Sequence, residues 1–306
     1  MKILIATEKP FAAPAVSAIR KVIESAGMTP VLLEKYSDRS QLRDAAANVD
    51  GLIIRSDIVD SAVFEAAKQL KIVVRAGAGY DNVDLDAATA HHVCVMNTPG
   101  QNANAVAELA FGMLLYGVRN YFNSSSGTEL KGKTLGIHAY GHVGRHVARI
   151  AKGFGMEVRA FDPFVDAEAM ARDGVVATGS AAELYAACPF VSLHIPATEE
   201  TKNSIGSNLL SVMPIGAILI NTARKEIICE AELLKFMEAR PDFKYLTDVK
   251  PDHHVEMAIR FAGRYFSTPK KIGAQTTEAN NNSGIAAAAQ IVGFLRDGDE
   301  RFRVNR

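Results

Sequence analysis

The chain has 306 residues, 48% hydrophobic and 22% charged, the composition of a folded globular protein long enough for two cores. Lys plus Arg equals Asp plus Glu at 34 each, so no net charge draws the chain to nucleic acid or to an anionic membrane. Three scattered cysteines, Cys94, Cys188 and Cys229, offer neither metal spacing nor a disulfide framework, and no apolar run approaches the ~20 residues that span a bilayer, so a reducing, cytoplasmic setting is expected.

The first predicted strand covers residues 2–7 (KILIAT), an apolar run too short for a secretory signal. Further strands are predicted over 30–36, 51–56, 71–75 and 93–98, all rich in Val, Ile and Leu with little alternation, as in parallel strands buried on both faces. Amphipathic segments at 15–26, 61–69 and 84–91 alternate with them and predict βαβ units. A long helix over 104–118 follows the turn Thr98-Pro99-Gly100, and a polar stretch at 123–127 precedes a second series of strands. These are placed at 134–140, 157–161, 190–195, 217–222, 245–249 and 264–268, before a closing helix at 283–296. The pattern predicts an α/β protein of two doubly wound parallel-sheet domains. One is discontinuous, over 1–98 and 280–306, and the other covers 99–279.

The strongest motif is Thr134-Leu-Gly-Ile-His-Ala-Tyr-Gly-His-Val-Gly144, a strand running into a tight turn and a helix. Gly141 lets the backbone approach a pyrophosphate, Gly144 lets the helix pack on the strand, and the helix N-terminus presents N–H groups to the phosphates. Tyr140, His142 and Val143 complete this candidate cofactor turn. Ala139 stands where the dinucleotide fingerprint has its first glycine. The next strand ends at Asp162, 23 residues after Ala139, where an acid accepts hydrogen bonds from the adenosine ribose and repels a 2′-phosphate. NAD is therefore expected rather than NADP. His142 and His146 have a spacing that can bind metal, but no third ligand is evident and no metal is expected.

Ligands in open parallel sheets bind beyond the carboxyl ends of the strands. Those ends carry His194-Ile195-Pro196, Asn221-Thr222-Ala223-Arg224, Asp248 and Thr268-Pro269-Lys270-Lys271. With the 75–84 run (RAGAGYDNVD), Asn97-Thr98-Pro99-Gly100, Ala107-Glu108-Leu109, the glycine turn and the 268–276 segment, these residues resemble the D-isomer-specific 2-hydroxyacid dehydrogenase family over nearly the whole chain. Within it the chain looks most like the short 3-phosphoglycerate dehydrogenases. The resemblance implies a flavodoxin-like substrate domain, a Rossmann NAD domain and a homodimer with the 104–118 helix at the contact. It implies NAD-linked oxidation of D-3-phosphoglycerate to 3-phosphohydroxypyruvate, the first step of serine synthesis. Hydroxypyruvate or glyoxylate reduction is the alternative, and an NAD-sensing corepressor-like module is a rival from another class.

Residue by residue, the resemblance makes Arg224 the catalytic arginine, suited to hold a carboxylate and polarise the C2 oxygen. Asp248 matches the acid that meets the nicotinamide carboxamide. His194, Ile195, Pro196, Thr222 and Ala223 line the cofactor's rim. The family's general base is a histidine in Thr-Pro-His-Ile-Gly, whereas this chain reads Thr268-Pro-Lys-Lys-Ile-Gly273. Counting from either end selects Lys270 or Lys271, and both stay open. A lysine base near neutral pH needs its pKa lowered by ~3 units, roughly 4 kcal/mol. Asp252 is the nearest match to the carboxylate partner and Glu256 a weaker one, and a lysine base requires that carboxylate at greater distance. The alternative base is His253 or His254. On the substrate side, Arg55 and Arg75 suit a phosphate, residues 76–79 (Ala76, Gly77, Ala78, Gly79) offer backbone N–H groups to a carboxylate, and Asn102 matches a substrate-facing position. Hinges are expected near 97–100 and 278–282.

Overall fold

The computed structural model describes residues 1–305. They divide into two compact units, unit 1 with Met1–Asn102 plus the chain from Gln275 onward and unit 2 with Ala103–Ala274. The chain thus leaves unit 1 after Asn102, where the sequence placed the boundary at 98/99, and returns at Gln275 rather than at 280. Arg306, expected in the first domain, lies outside the described residues.

Unit 1 begins β1 (Lys2–Thr7), α1 (Ala13–Ser25), β2 (Thr29–Glu34), α2 (Arg39–Ala46), β3 (Gly51–Ile54), α3 (Ser61–Ala66), β4 (Ile72–Arg75), α4 (Leu85–Ala90) and β5 (Cys94–Asn97). The strands pair in parallel in the order β2-β1-β3-β4-β5. Ile3, Leu4 and Ile5 of β1 and Leu52, Ile53 and Ile54 of β3 are wholly buried, because helices cover both faces of the sheet. Helix α2 has no counterpart among the predicted segments. It opens with a capping box in which Asp38 and Gln41 satisfy each other's backbone N–H.

Unit 2 contains α5 (Ala103–Val118), β6 (Thr134–His138), α6 (His142–Gly153), β7 (Glu157–Phe161), α7 (Ala167–Arg172), β8 (Val176–Ala177), α8 (Ala181–Ala187), β9 (Phe190–Leu193), α9 (Ser207–Leu210), β10 (Ile218–Asn221), α10 (Glu230–Ala239), β11 (Lys244–Thr247), α11 (His254–Arg260) and β12 (Tyr265–Ser267). Its sheet runs β12-β11-β10-β9-β6-β7-β8. From β6 the chain winds outward through β7 to β8, then returns so that β9 lies beside β6 on its other side. That reversal creates a crevice at the carboxyl ends of β6 and β9, the usual position for a dinucleotide.

The chain returns to unit 1 as α12 (Thr277–Asp297), capped at its start by Thr276, whose hydroxyl accepts from the Ala279 N–H. The helix begins six residues before the sequence placed it, so the hinge expected at 278–282 is helical backbone within unit 1. It packs along α1, where Gly284 permits close approach: a Cβ there would lie 2.6 Å from the Ile19 side chain. The tail then reaches the edge of β5. Arg303 bridges Met96, and buried Asn305 accepts from Val95 N–H and donates to Val93 O and Thr89 Oγ1.

Candidate active site

At the turn after β6, Ala139 adopts φ +78°, the left-handed region that glycine occupies without penalty. The first position of the fingerprint therefore keeps the glycine conformation with an alanine in it. A Cβ on Gly144 would lie 2.5 Å from Ala139 O, so this residue sets how closely α6 approaches the strand. A Cβ on Gly141 would meet nothing within 4 Å, which leaves open space above the helix start. No side chain caps α6, and its first N–H groups face that space. Asp162 braces the turn: one carboxylate oxygen accepts from Tyr140 N–H at 2.7 Å and the other from Phe164 N–H at 2.9 Å. Each oxygen keeps a second lone pair for a ribose hydroxyl. The Tyr140 side chain is wholly buried, its hydroxyl bonded to Asp173, so only its backbone can face a cofactor. His142 is exposed, and Val143 is half-buried against the core. The open space, uncapped helix start and terminal acid fit a dinucleotide.

Two histidines meet in the crevice. His194 N–H donates to His138 O, and the His194 ring lies 3.0 Å from Ser192 Oγ and 3.5 Å from Thr222 Oγ1. The His138 ring lies 3.2 Å from the Tyr185 hydroxyl and edge-on to Phe161. Burial pushes His138 down to about 4, against the opposing pull of Asp162. The outer edge of His194 keeps some exposure, yet desolvation, with His138 beside it, pushes this ring down to about 3. Both rings are neutral at physiological pH. His138 was not foreseen, because a histidine inside an apolar strand reads as one more core residue.

The catalytic candidates come from three adjacent strand ends. Asn221, wholly buried at the end of β10, accepts from Ala223 N–H and donates to Arg224 O, which folds residues 221–224 into a tight turn. Arg224 Nη1 donates to Ala223 O at 3.0 Å, and Lys271 Nζ donates to the same oxygen at 3.2 Å. The two cationic atoms are thus no farther apart than the sum of those distances. Asp248, wholly buried after β11, fixes the lysine loop: it accepts from Thr268 Oγ1, Ile272 N–H and Gly273 N–H at 2.8–2.9 Å. The loop's register thereby brings Lys271 to the carbonyl that Arg224 also engages; both Lys271 and Lys270 are exposed residues. Asp252 pairs with Lys225, not with the lysine loop. Glu230 organises that neighbouring turn, accepting from Asp252 N–H, His253 N–H and the His253 ring. His254 lies 2.9 Å from the Tyr265 hydroxyl, and Glu256 pairs with Arg260. Buried Ile195 packs into the core, and Pro196 O accepts from Thr201 Oγ1.

In unit 1, the Arg55 guanidinium donates to Lys9 O, Pro10 O and Asn280 Oδ1 and lies 5.1 Å above the Phe11 ring. Asp57, 2% exposed, holds this corner by accepting from Glu8 N–H, the Tyr36 hydroxyl and Arg55 N–H. An acid in the run Arg55-Ser56-Asp57 reads from sequence as an ordinary turn residue, so Asp57 was missed. The Arg75 guanidinium folds over Gly77, where a Cβ would lie 1.5 Å from Nη1. The N–H groups of Ala76 and Gly77 already donate to Ile54 O and Arg75 O, which narrows the expected anion cradle to Ala78 and Gly79. Asn102 is half-buried at the end of the first segment of unit 1.

Residues 110–265 match the model of the D-isomer specific 2-hydroxyacid dehydrogenase NAD-binding domain. The chain belongs to this family. It is 46% identical to the NAD+-bound 3-phosphoglycerate dehydrogenase of Entamoeba histolytica, with a TM-score of 0.89 over 100% of this chain and 99% of that one. It is 32% identical to the D-3-phosphoglycerate dehydrogenase of Methanocaldococcus jannaschii over 90% of this chain and 55% of the relative. The hydroxypyruvate reductase of Thermotoga maritima is also 32% identical, over 84% of this chain and 88% of the relative. The chain spans about half the length of the curated phosphoglycerate dehydrogenases it matches. Unit 2 contains the family's NAD-binding domain, with the Rossmann-type fold expected of it.

Proposed function

We propose that the chain oxidises D-3-phosphoglycerate to 3-phosphohydroxypyruvate with NAD, as the first step of serine synthesis. NAD supplies the hydride acceptor. Arg224 holds the substrate carboxylate and the C2 oxygen through its planar fork, and Lys271 Nζ takes the C2 hydroxyl proton as the C2 hydrogen leaves as hydride. One observation carries this reading: Arg224 and Lys271 converge on a single carbonyl, that of Ala223. Lys271 is preferred to Lys270 as the base. Asp252 is dropped as its carboxylate partner because Lys225 engages it. Asp248 acts first as the brace of the lysine loop, with one lone pair of Oδ2 remaining for the carboxamide.

Substrate recognition in unit 1 is assigned to Arg55, Arg75, Ala78, Gly79 and Asn102. Arg55 acts with the donors its three internal bonds leave over. A homodimer with α5 at the contact and a cytoplasmic location complete the proposal.

The test is NADH formation from 3-phosphoglycerate, glycerate and lactate at matched concentrations. A preference of at least tenfold in kcat/KM for the phosphorylated acid is expected, lost in Arg75→Ala. Equal rates on all three would favour the second reading, hydroxypyruvate reduction, which the similarity to the Thermotoga maritima enzyme supports.

A further inference from the structure

Outside the crevice, helix α6 carries a group of side chains that the proposed reaction does not use. Arg145, Arg149 and Lys152 stand at i, i+4 and i+7 and therefore share one face of the helix. With Tyr140, His146, Ala148 and Asp173 they line a cavity of about 330 Å³. Asp173 is the one acid in that lining, against two arginines and a lysine.

All three cations are held in place, and only Arg145 is paired with a carboxylate in the lining. Arg145 stacks on the Tyr140 ring at 4.9 Å, and its Nη1 meets Asp173 Oδ2 at 2.6 Å. The Tyr140 hydroxyl donates to the same Asp173 oxygen at 3.0 Å. Arg149 is bound by two uncharged partners: its Nη2 donates to Asn104 Oδ1 at 2.8 Å and lies 3.3 Å from His146 Nδ1. Partial burial, Arg149 and His142 hold the His146 ring below its ordinary range, so it accepts from the guanidinium without adding charge. Lys152 donates to the backbone carbonyl of Asp173, which is also uncharged. Two of the three cations thus lack a carboxylate in the cavity, and planar guanidinium edges are fixed by stacking and hydrogen bonds. That is the recognition chemistry of a phosphate group carrying two or more charges.

We propose that this cavity binds a small phosphate-bearing polyanion, such as a diphosphate group, at a site separate from the glycine turn. Arg149 and Lys152 supply the charge, and Arg145 a pre-oriented edge. Tyr140 and Asp173 hold that edge in place.

The probe is inorganic pyrophosphate, titrated calorimetrically into the full chain saturated with NADH, so that the phosphate site of the cofactor is occupied. Binding of one pyrophosphate per chain is expected at constant ionic strength, weakened at least tenfold in Lys152→Gln and further in Arg149→Gln/Lys152→Gln. NADH affinity, read by its fluorescence, should stay within twofold in both variants. Lys152 lies on the solvent side of the helix, so the single variant keeps the test valid if the double variant fails to fold. No heat of binding in the NADH-saturated chain would overturn the proposal. So would equal binding by Lys152→Gln, or complete competition by chloride at matched ionic strength, which marks a diffuse charged face.

Discussion

Lys271 reaches Arg224 because a buried carboxylate one strand away fixes the loop that carries it. A base at Nζ predicts that Lys271→Ala loses turnover by 10²-fold or more, while Lys270→Ala stays within about threefold. Steady-state kinetics at saturating NAD and substrate decides this, and the reverse ranking would move the base one residue back. The sequence favoured two lysines, with His253 or His254 as the alternative, and could go no further. The bonds that set the loop's register run to Asp248 from the Ile272 and Gly273 N–H groups, and no spacing rule contains them. The glycine turn was more legible. Gly144 sits at the close helix–strand approach its spacing implied, and Ala139 takes the conformation of the glycine it replaces. That position makes a paired prediction. Ala139→Gly relieves a left-handed alanine, offset by the freedom glycine gains when unfolded, and should raise stability by less than about 1 kcal/mol. Gly144→Ala forces a methyl against Ala139 O and should cost about 1–3 kcal/mol together with NADH affinity. Urea midpoints and NADH fluorescence measure both effects.

At the scale of elements, the strands were readable because parallel strands covered on both faces are continuous apolar runs, as in β1 and β10. The two-residue β8 has no such run, because it is an edge strand of alanine and valine. Helix α2 was readable in principle from Asp38 and Gln41, but its charged face hides the amphipathic stripe. The junction of β6 and β9 has a pH signature. His138 and His194 are held at about 4 and about 3, below the free value of 6.5. Between pH 6.5 and 4 the unfolded chain therefore binds more protons than the folded one. The stability these rings contribute is full above pH 6.5 and is lost as the pH falls. A loss on the order of 2 kcal/mol per ring is expected by pH 5. Urea unfolding at pH 7 and pH 5 measures it. His138→Gln should flatten the profile, and an unchanged slope would show that other groups control it.

For the molecule as a whole, the interruption of unit 1 matters most. Unit 2 is one continuous stretch, Ala103–Ala274, with its own core. Expressed alone, it should unfold cooperatively on heating, as followed by circular dichroism. Unit 1 needs both of its segments. Asn305→Ala removes three hydrogen bonds, two of them buried, to β5, the turn before it and Thr89 of α4, and should cost about 2–4 kcal/mol, read as a lower urea midpoint. The sequence signalled a discontinuous domain, but it ended both expected crossings four to five residues away from where contacts place them, since Asn102 and Gln275 carry no strong turn chemistry.

The anchoring of Asn305 at β5 also opens a route for re-ordering the gene. Ile3, Gly51, Ile72 and Cys94 lie in register across neighbouring strands, so Lys2 and Asn305 meet the same margin of one sheet, about 15 Å apart at ~4.8 Å per strand. A linker of roughly six residues can span that gap at ~3.3 Å per residue. Joining the ends and starting the chain anew at Gln275 yields a circular permutant in which unit 1 is encoded without interruption and unit 2 follows it, a tandem of two modules from a protein in which one is inserted into the other.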